Sequence, residues 1–161
     1  MYVFKDISEE TGRLLVHWMY TQKVDVDFNE LYDESTALVE LWIAGEKLLI
    51  TSLQNAIIEE WHKCQHMAEE DPPFNFDLLR YVYKNTAEDS YLRRFLVDLT
   101  VIYISPNYPR RNAPLEFLLN VVDRYASFAK LVDMDEEIGM SNSREQYLVP
   151  ISNVEVDNDS S

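Results

Sequence analysis

The sequence predicts a mainly α-helical chain, and three observations carry that expectation. Apolar residues recur at three- and four-residue spacing, as in Leu14, Leu15, Trp18 and Met19, or Leu38, Leu41, Trp42, Leu48 and Leu49. Strand-like patterns are confined to short pieces before residue 28. Only three glycines interrupt 161 residues, and the six prolines fall between the periodic stretches, not inside them.

Tyr2, Val3 and Phe4 form a short β-prone run. Ser8 then offers an N-cap, with Glu9 and Glu10 in the first turn where acidic groups favour the helix dipole, and a helix over residues 8–20 follows. Val24 and Val26 alternate with Asp25 and Asp27, the pattern of a brief half-buried strand. From Ser35 to Leu49 one wide apolar stripe includes Gly45. Glycine costs roughly 1 kcal/mol against alanine in a helix interior, so its presence marks a close approach by a neighbour. Thr51 and Gln54 have capping-box spacing and open the next helix, which carries Leu53, Ile57, Trp61 and Cys64 on one face as far as Met67.

Glu69, Glu70, Asp71, Pro72 and Pro73 make a polar, proline-stopped connection. Beyond it, residues 76–84 and 90–104 read as an antiparallel helix pair, with residues 85–89 as the turn and Ser90 as the cap. Pro106, Pro109 and Pro114 punctuate a loop before a last helix over residues 114–132. The organisation expected is a first unit over 1–70, a helical extension over 71–135 and an acidic, disordered tail over 136–161. In that tail only residues 147–151 have much to bury.

A chain of this length buries a single core without needing disulfides or metal. Its composition is 47% hydrophobic, which excludes wholesale disorder although 29 acidic residues face 14 basic ones. The formal charge of −15 repels phosphate, so nucleic acid and membrane surfaces are not expected partners. Arg110 and Arg111 are too short a basic run to offset it. The single Cys64 cannot close an internal bridge, which points to a reducing intracellular setting, cytoplasm or nucleus.

Chemistry-bearing constellations are sparse. His62, Cys64 and His66 are zinc-ligand types at tight spacing, but on a helix the two histidines share a face and Cys64 points nearly opposite. Asp133, Asp135 and Glu137 alternate like the start of a calcium loop, yet Gly139 falls one place late. Glu59 and Glu60 are adjacent and diverge on a helix, so they read as solubilising charges. The run Ala44-Gly45-Glu46-Lys47 lacks the upstream glycine of a phosphate loop, and no G-x-S-x-G is present. No residue is therefore assigned a catalytic, cofactor-binding or metal-ligating role, and no cofactor is expected. Trp18, Tyr20, Trp42, Trp61, Tyr81, Tyr83 and Phe95, at helical spacing, are read as mostly core.

Three segments carry a resemblance: LLVHWMY at 14–20, LWIAGEKLLI at 41–50 and LLRYVYKNTAEDSYLRRFLVD at 78–98. In that order and spacing they resemble the helical back half of fungal BTB/POZ-domain proteins. Trp18-Met19-Tyr20-Thr21 stands where that family has a W-x-Y-T-like segment. The resemblance covers most of residues 1–135 and implies the helical part of an α+β domain with one or two very short strands near the N-terminus, followed by a C-terminal helical extension. It also implies a non-enzymatic protein-interaction module, an adaptor in a ubiquitin-ligase or transcription-related complex, with cullin-type components or BTB relatives as partners. The family's front half, which holds most of its homodimer interface, has no counterpart here, so dimerisation by that route is not carried over. The chain then reads as a late-starting gene model or a shortened form. Two alternatives stand beside it: an inert or competing fragment, and a small metal-dependent enzyme using His62 and His66 with a carboxylate.

Overall fold

Among the described residues the apolar periodicity resolves into six helices: α1 (Glu9–Thr21), α2 (Leu31–Lys47), α3 (Thr51–Gln65), α4 (Phe76–Asn85), α5 (Tyr91–Tyr103) and α6 (Leu115–Val132). The structure, a computed structural model, describes residues 7–26, 31–65, 75–103, 112–132 and 148–150. Among the described residues there is no strand, and the fold is mainly α. Tyr2, Val3 and Phe4 lie outside the described residues. Val24 and Val26 are buried and Asp25 is exposed, so the expected alternation holds over these three residues, while Asp27 lies outside the described residues. The segment is nonetheless irregular, because no neighbouring strand among the described residues pairs with its main chain.

α1 begins where its cap dictates. Ser8 has extended backbone and its Oγ accepts from the Thr11 N–H at 3.2 Å. One carboxylate oxygen of Glu40, on α2, accepts from the Ser8 N–H at 3.1 Å, the Ser8 hydroxyl at 2.8 Å and the Thr11 hydroxyl at 2.6 Å. The anion thus sits at the positive end of α1 and fixes that end against α2. α1 buries Thr11, Leu14 and Trp18, while Met19, expected on the same face, is exposed. The apolar stripe on α1 is wider than the single main partner, α2, can cover.

α2 starts at Leu31, earlier than the serine-based expectation, and Ser35 is a buried residue within it. From Ala37 to Ala44 every residue except Glu40 is buried, and α1, α3 and α4 all pack against this helix. The turn into α3 is a Schellman closure: the Ile50 N–H donates to the Gly45 carbonyl at 2.8 Å and the Leu49 N–H to the Glu46 carbonyl at 3.1 Å. Its left-handed position is occupied by Leu49 at φ 58°. Gly45 allows the tight return, since a Cβ there would stand 3.1 Å from Gln54 Cγ and 3.5 Å from the Ile50 carbonyl oxygen. The close approach expected at this glycine is present. Thr51 is the first helical residue rather than the cap, and the Leu53 and Gln54 N–H groups both donate to the Ile50 carbonyl.

Asn75 caps α4 through the Leu78 N–H at 2.9 Å, a cap not among those expected from the sequence. Ser90 precedes α5 as expected, but it is buried and its Oγ has no hydrogen-bond partner among the described residues. Pro114 stands just before α6, and its carbonyl receives the Leu118 N–H at 3.1 Å. The core is one cluster from Leu14 to Val121, with Trp42, Trp61, Phe95 and Phe117 its largest members. Trp61 meets Phe95 edge-on at 5.6 Å, joining α3 to α5 across the connection at 66–74, which lies outside the described residues. Leu148 and Val149, within the segment expected to be a disordered tail, are packed against this core, and Val149 is bonded to α3.

Leu49 is 88% exposed, so it buries little to offset its left-handed backbone. Leu49→Gly is expected to stabilise the fold by about 0.5–1 kcal/mol, read as a raised urea midpoint at unchanged slope. A lowered midpoint would show that Leu49 is held by contacts the fold needs.

Candidate functional site

Two kinds of feature stand out: a charged groove between α5 and α6, and apolar helix faces left open to solvent. The groove encloses about 380 Å³ and is lined by Glu88, Arg93, Arg94, Asp98, Asp123 and Arg124, among others. Arg93 organises it. Its Nε donates to Thr86 Oγ1 at 3.0 Å, one terminal nitrogen to Glu116 at 2.5 Å, and the other to the Tyr83 and Thr86 carbonyls at 2.7 and 2.6 Å. The same guanidinium lies 4.3 Å from the centroid of the Tyr83 ring. Five donors in a rigid fork serve the end of α4 and the start of α6 at once, which a lysine cannot do.

The rest of the seam extends this lock. Tyr83 receives a bond from Asn120 Nδ2 at 2.9 Å and meets Phe117 edge-on at 5.9 Å. Burial raises the Tyr83 hydroxyl above its ordinary pKa, opposed by the Asn120 bond and the Arg93 charge. Arg124 on α6 grips the buried Asp98 of α5 with two bonds, 2.5 and 2.8 Å, and covers the Phe128 ring at 4.8 Å. Arg94 stacks over Tyr91 at 4.3 Å and reaches the Asp89 carbonyl. Arg93 and Arg124 are each matched by an acid, Glu116 and Asp98, while Arg94 is held by a ring and a carbonyl, so the two paired cations are turned inward to bind neighbouring helices. Its Ser127 hydroxyl donates to the Asp123 carbonyl of its own helix. Chemically, this groove is an internal clamp that sets the position of α6.

The sequence candidates fall elsewhere. His62 is partly buried on α3, whereas the Cys64 side chain and all of His66 lie outside the described residues. Among the described residues, no group of three His, Cys, Asp or Glu could hold a metal ion. Asp133, Asp135, Glu137 and Gly139 lie outside them, as do Arg110 and Arg111. Glu60 pairs with Lys63 at 2.8 Å on the surface of α3. Ala44, Gly45, Glu46 and Lys47 form the last turn of α2, the negative end of the helix dipole, where phosphate is repelled. Of the aromatic residues, Trp18, Trp42, Trp61 and Phe95 are buried, Tyr81 and Tyr83 partly so, and Tyr20 is 88% exposed.

The open faces lie outside these candidates. On α6, Phe117, Val121, Arg124 and Phe128 form the inner line. On the opposite side Leu115, Leu119 and Val122 are 73%, 55% and 62% exposed, and Ala126 and Ala129 continue the line, also exposed. These five residues repeat at four, three, four and three, a heptad seam pointing to solvent. A shorter line on α1 exposes Val16, Met19 and Tyr20. The seam was visible in the spacing alone. Arg93 carried a signal too, because it falls three and four residues before the apolar Leu96 and Val97.

Arg93→Met is expected to cost about 3 kcal/mol or more, since it leaves the Tyr83 and Thr86 carbonyls and Glu116 without their donor. Arg93→Lys should recover only part of this in thermal melts, and full recovery would refute the fork. Burial, followed by the nearby Asp89 charge, raises the Glu46 carboxyl above its ordinary pKa, against the opposing pull of Lys47. A carboxyl raised in the folded state destabilises once ionised: stability present below the unfolded pKa is lost as pH climbs through the folded one. Glu46→Gln should therefore be more stable than the parent at pH 7 and indistinguishable from it below about pH 4 in urea titrations. A pH-independent difference would contradict this.

No family model, curated protein or solved structure matches the chain.

Proposed function

We propose that the chain is a non-enzymatic protein-interaction module whose main docking element is the outer face of α6. The carrying observation is the exposed seam of Leu115, Leu119, Val122, Ala126 and Ala129 on a helix whose other face is already used in the core. A second apolar line on a helix already packed on its other side leaves surface that a partner can bury, and five residues in heptad register suit a partner helix. The two alanines at one end let that helix approach closely, and Leu115 and Leu119 at the other fill holes in it.

Charge narrows the partner. Glu116 and Asp123 border the seam, and the whole chain carries −15, so a partner helix with basic flanks is favoured and a second copy is disfavoured. The reading keeps the resemblance to the back half of a BTB/POZ domain. In it α1 corresponds to the helix bearing the W-x-Y-T-like segment, α2 and α3 to the closing helical pair, and α4 to α6 to the C-terminal extension. That correspondence rests on the three sequence segments named above. An adaptor role in a ubiquitin-ligase or transcription-related complex, in cytoplasm or nucleus, follows from the same resemblance. No described helix is long and apolar enough to cross a membrane.

Leu119→Asp places a charge in the middle of the seam without touching the core. Tagged chain expressed at native level should retain a reproducible partner that Leu119→Asp loses, while its thermal midpoint stays within a few degrees of the parent. Retention of the same partner by the variant, or no reproducible partner for the parent, would overturn the proposal.

A further inference from the structure

A second recognition feature lies on α3, away from the α6 seam, and it already has an occupant. Asn55 Nδ2 donates to the Val149 carbonyl at 3.0 Å, and the Val149 N–H donates to Asn55 Oδ1 at 2.7 Å. The partners stand 94 residues apart in the chain. A primary amide carries one acceptor and a donor pair side by side, so one asparagine satisfies both polar groups of one residue. Exchange of both bonds with a single residue is what a neighbouring strand does in an antiparallel pair, and it requires the bound residue to present its N–H and carbonyl to the same side.

The occupant is suited to this. Leu148 and Val149 pack, partly buried, against the core, and Pro150 is exposed. Proline has no N–H, so the chain leaving Val149 brings no further donor that the helix would have to satisfy. The two polar bonds read main chain alone, and side-chain selection is limited to the apolar packing. Any chain with an apolar pair followed by proline offers the same groups.

We propose that α3 carries a peptide-docking site centred on Asn55 that takes an apolar pair followed by proline from another protein, with Leu148, Val149 and Pro150 as its resident competitor. Being tethered, the resident acts at an effective concentration of about millimolar, so a weak peptide ligand enters only when the segment is displaced. Its two polar bonds come from α3 and use no residue of the α6 seam, so the site is tested apart from that seam.

The test uses the full chain and a fluorescein-labelled synthetic peptide of residues 144–154, read by fluorescence anisotropy. Val149→Pro removes the one N–H that Asn55 accepts and leaves α3 untouched, so it frees the site. The Val149→Pro chain is expected to bind the peptide at least tenfold more tightly than the parent. Adding Asn55→Leu should abolish that gain, and adding Asn55→Asp, which keeps an acceptor and loses the donor, should abolish it in a nearly isosteric background. The proposal is overturned if Val149→Pro gains no binding, or if either double variant, shown by circular dichroism to be folded, binds as well as Val149→Pro alone.

Discussion

The fold depends on covering α2. Between Ala37 and Ala44 only Glu40 reaches solvent, so the helix needs a neighbour on every side. α1, α3 and α4 supply that cover, and the polar exception is turned to use. Glu40 accepts three bonds from the first turn of α1 and orients that helix by the charge preference of its own terminus. The tight return at Gly45 and Leu49 then lays α3 directly against α2, close enough that Gln54 touches the glycine. Helices that cannot fold alone become stable because each completes the burial of this one.

Arg93 does for the second half what α2 does for the first. Its fork ties the end of α4 to α5 and α6, and the Arg124–Asp98 pair fastens α6 along its length. The position of α6 is thus determined by directional bonds as well as by packing, and its outer face is presented in a fixed orientation. Preorganisation of this kind lowers the ordering cost of binding, which is why an exposed seam on a clamped helix is a better docking surface than the same seam on a loose one. The open line on α1, by contrast, belongs to a helix held chiefly by α2 and at its N-terminal end.

Much of the helical framework was legible in the chain. Periodicity located the six helices to within a few residues, and the glycine in the α2 stripe announced the close contact that it makes. Caps were less legible, because they depend on which polar atom reaches the first turn. Asn75 takes that role in α4, Thr51 enters the helix it was expected to cap, and the Ser90 hydroxyl turns inward. Val24 and Val26 show the limit of an alternating pattern: it tells which side chains are buried and leaves open whether a neighbouring strand exists. The candidate surface was half legible. The four-three repeat of α6 can be counted from the letters, but which of two apolar faces would meet α5 depended on Arg93 and Arg124 finding their partners.

The measurement that bears most directly on this account is site-specific photo-crosslinking in cells. A benzophenone amino acid replacing Val122 is predicted to capture a protein whose crosslinked peptide is an amphipathic helix with a four-three apolar repeat and basic flanks. The same amino acid replacing the exposed Lys84 on α4 should capture nothing reproducible. Equal capture from both positions, or none at Val122, would contradict the claim that the outer face of α6 is where this chain meets its partner.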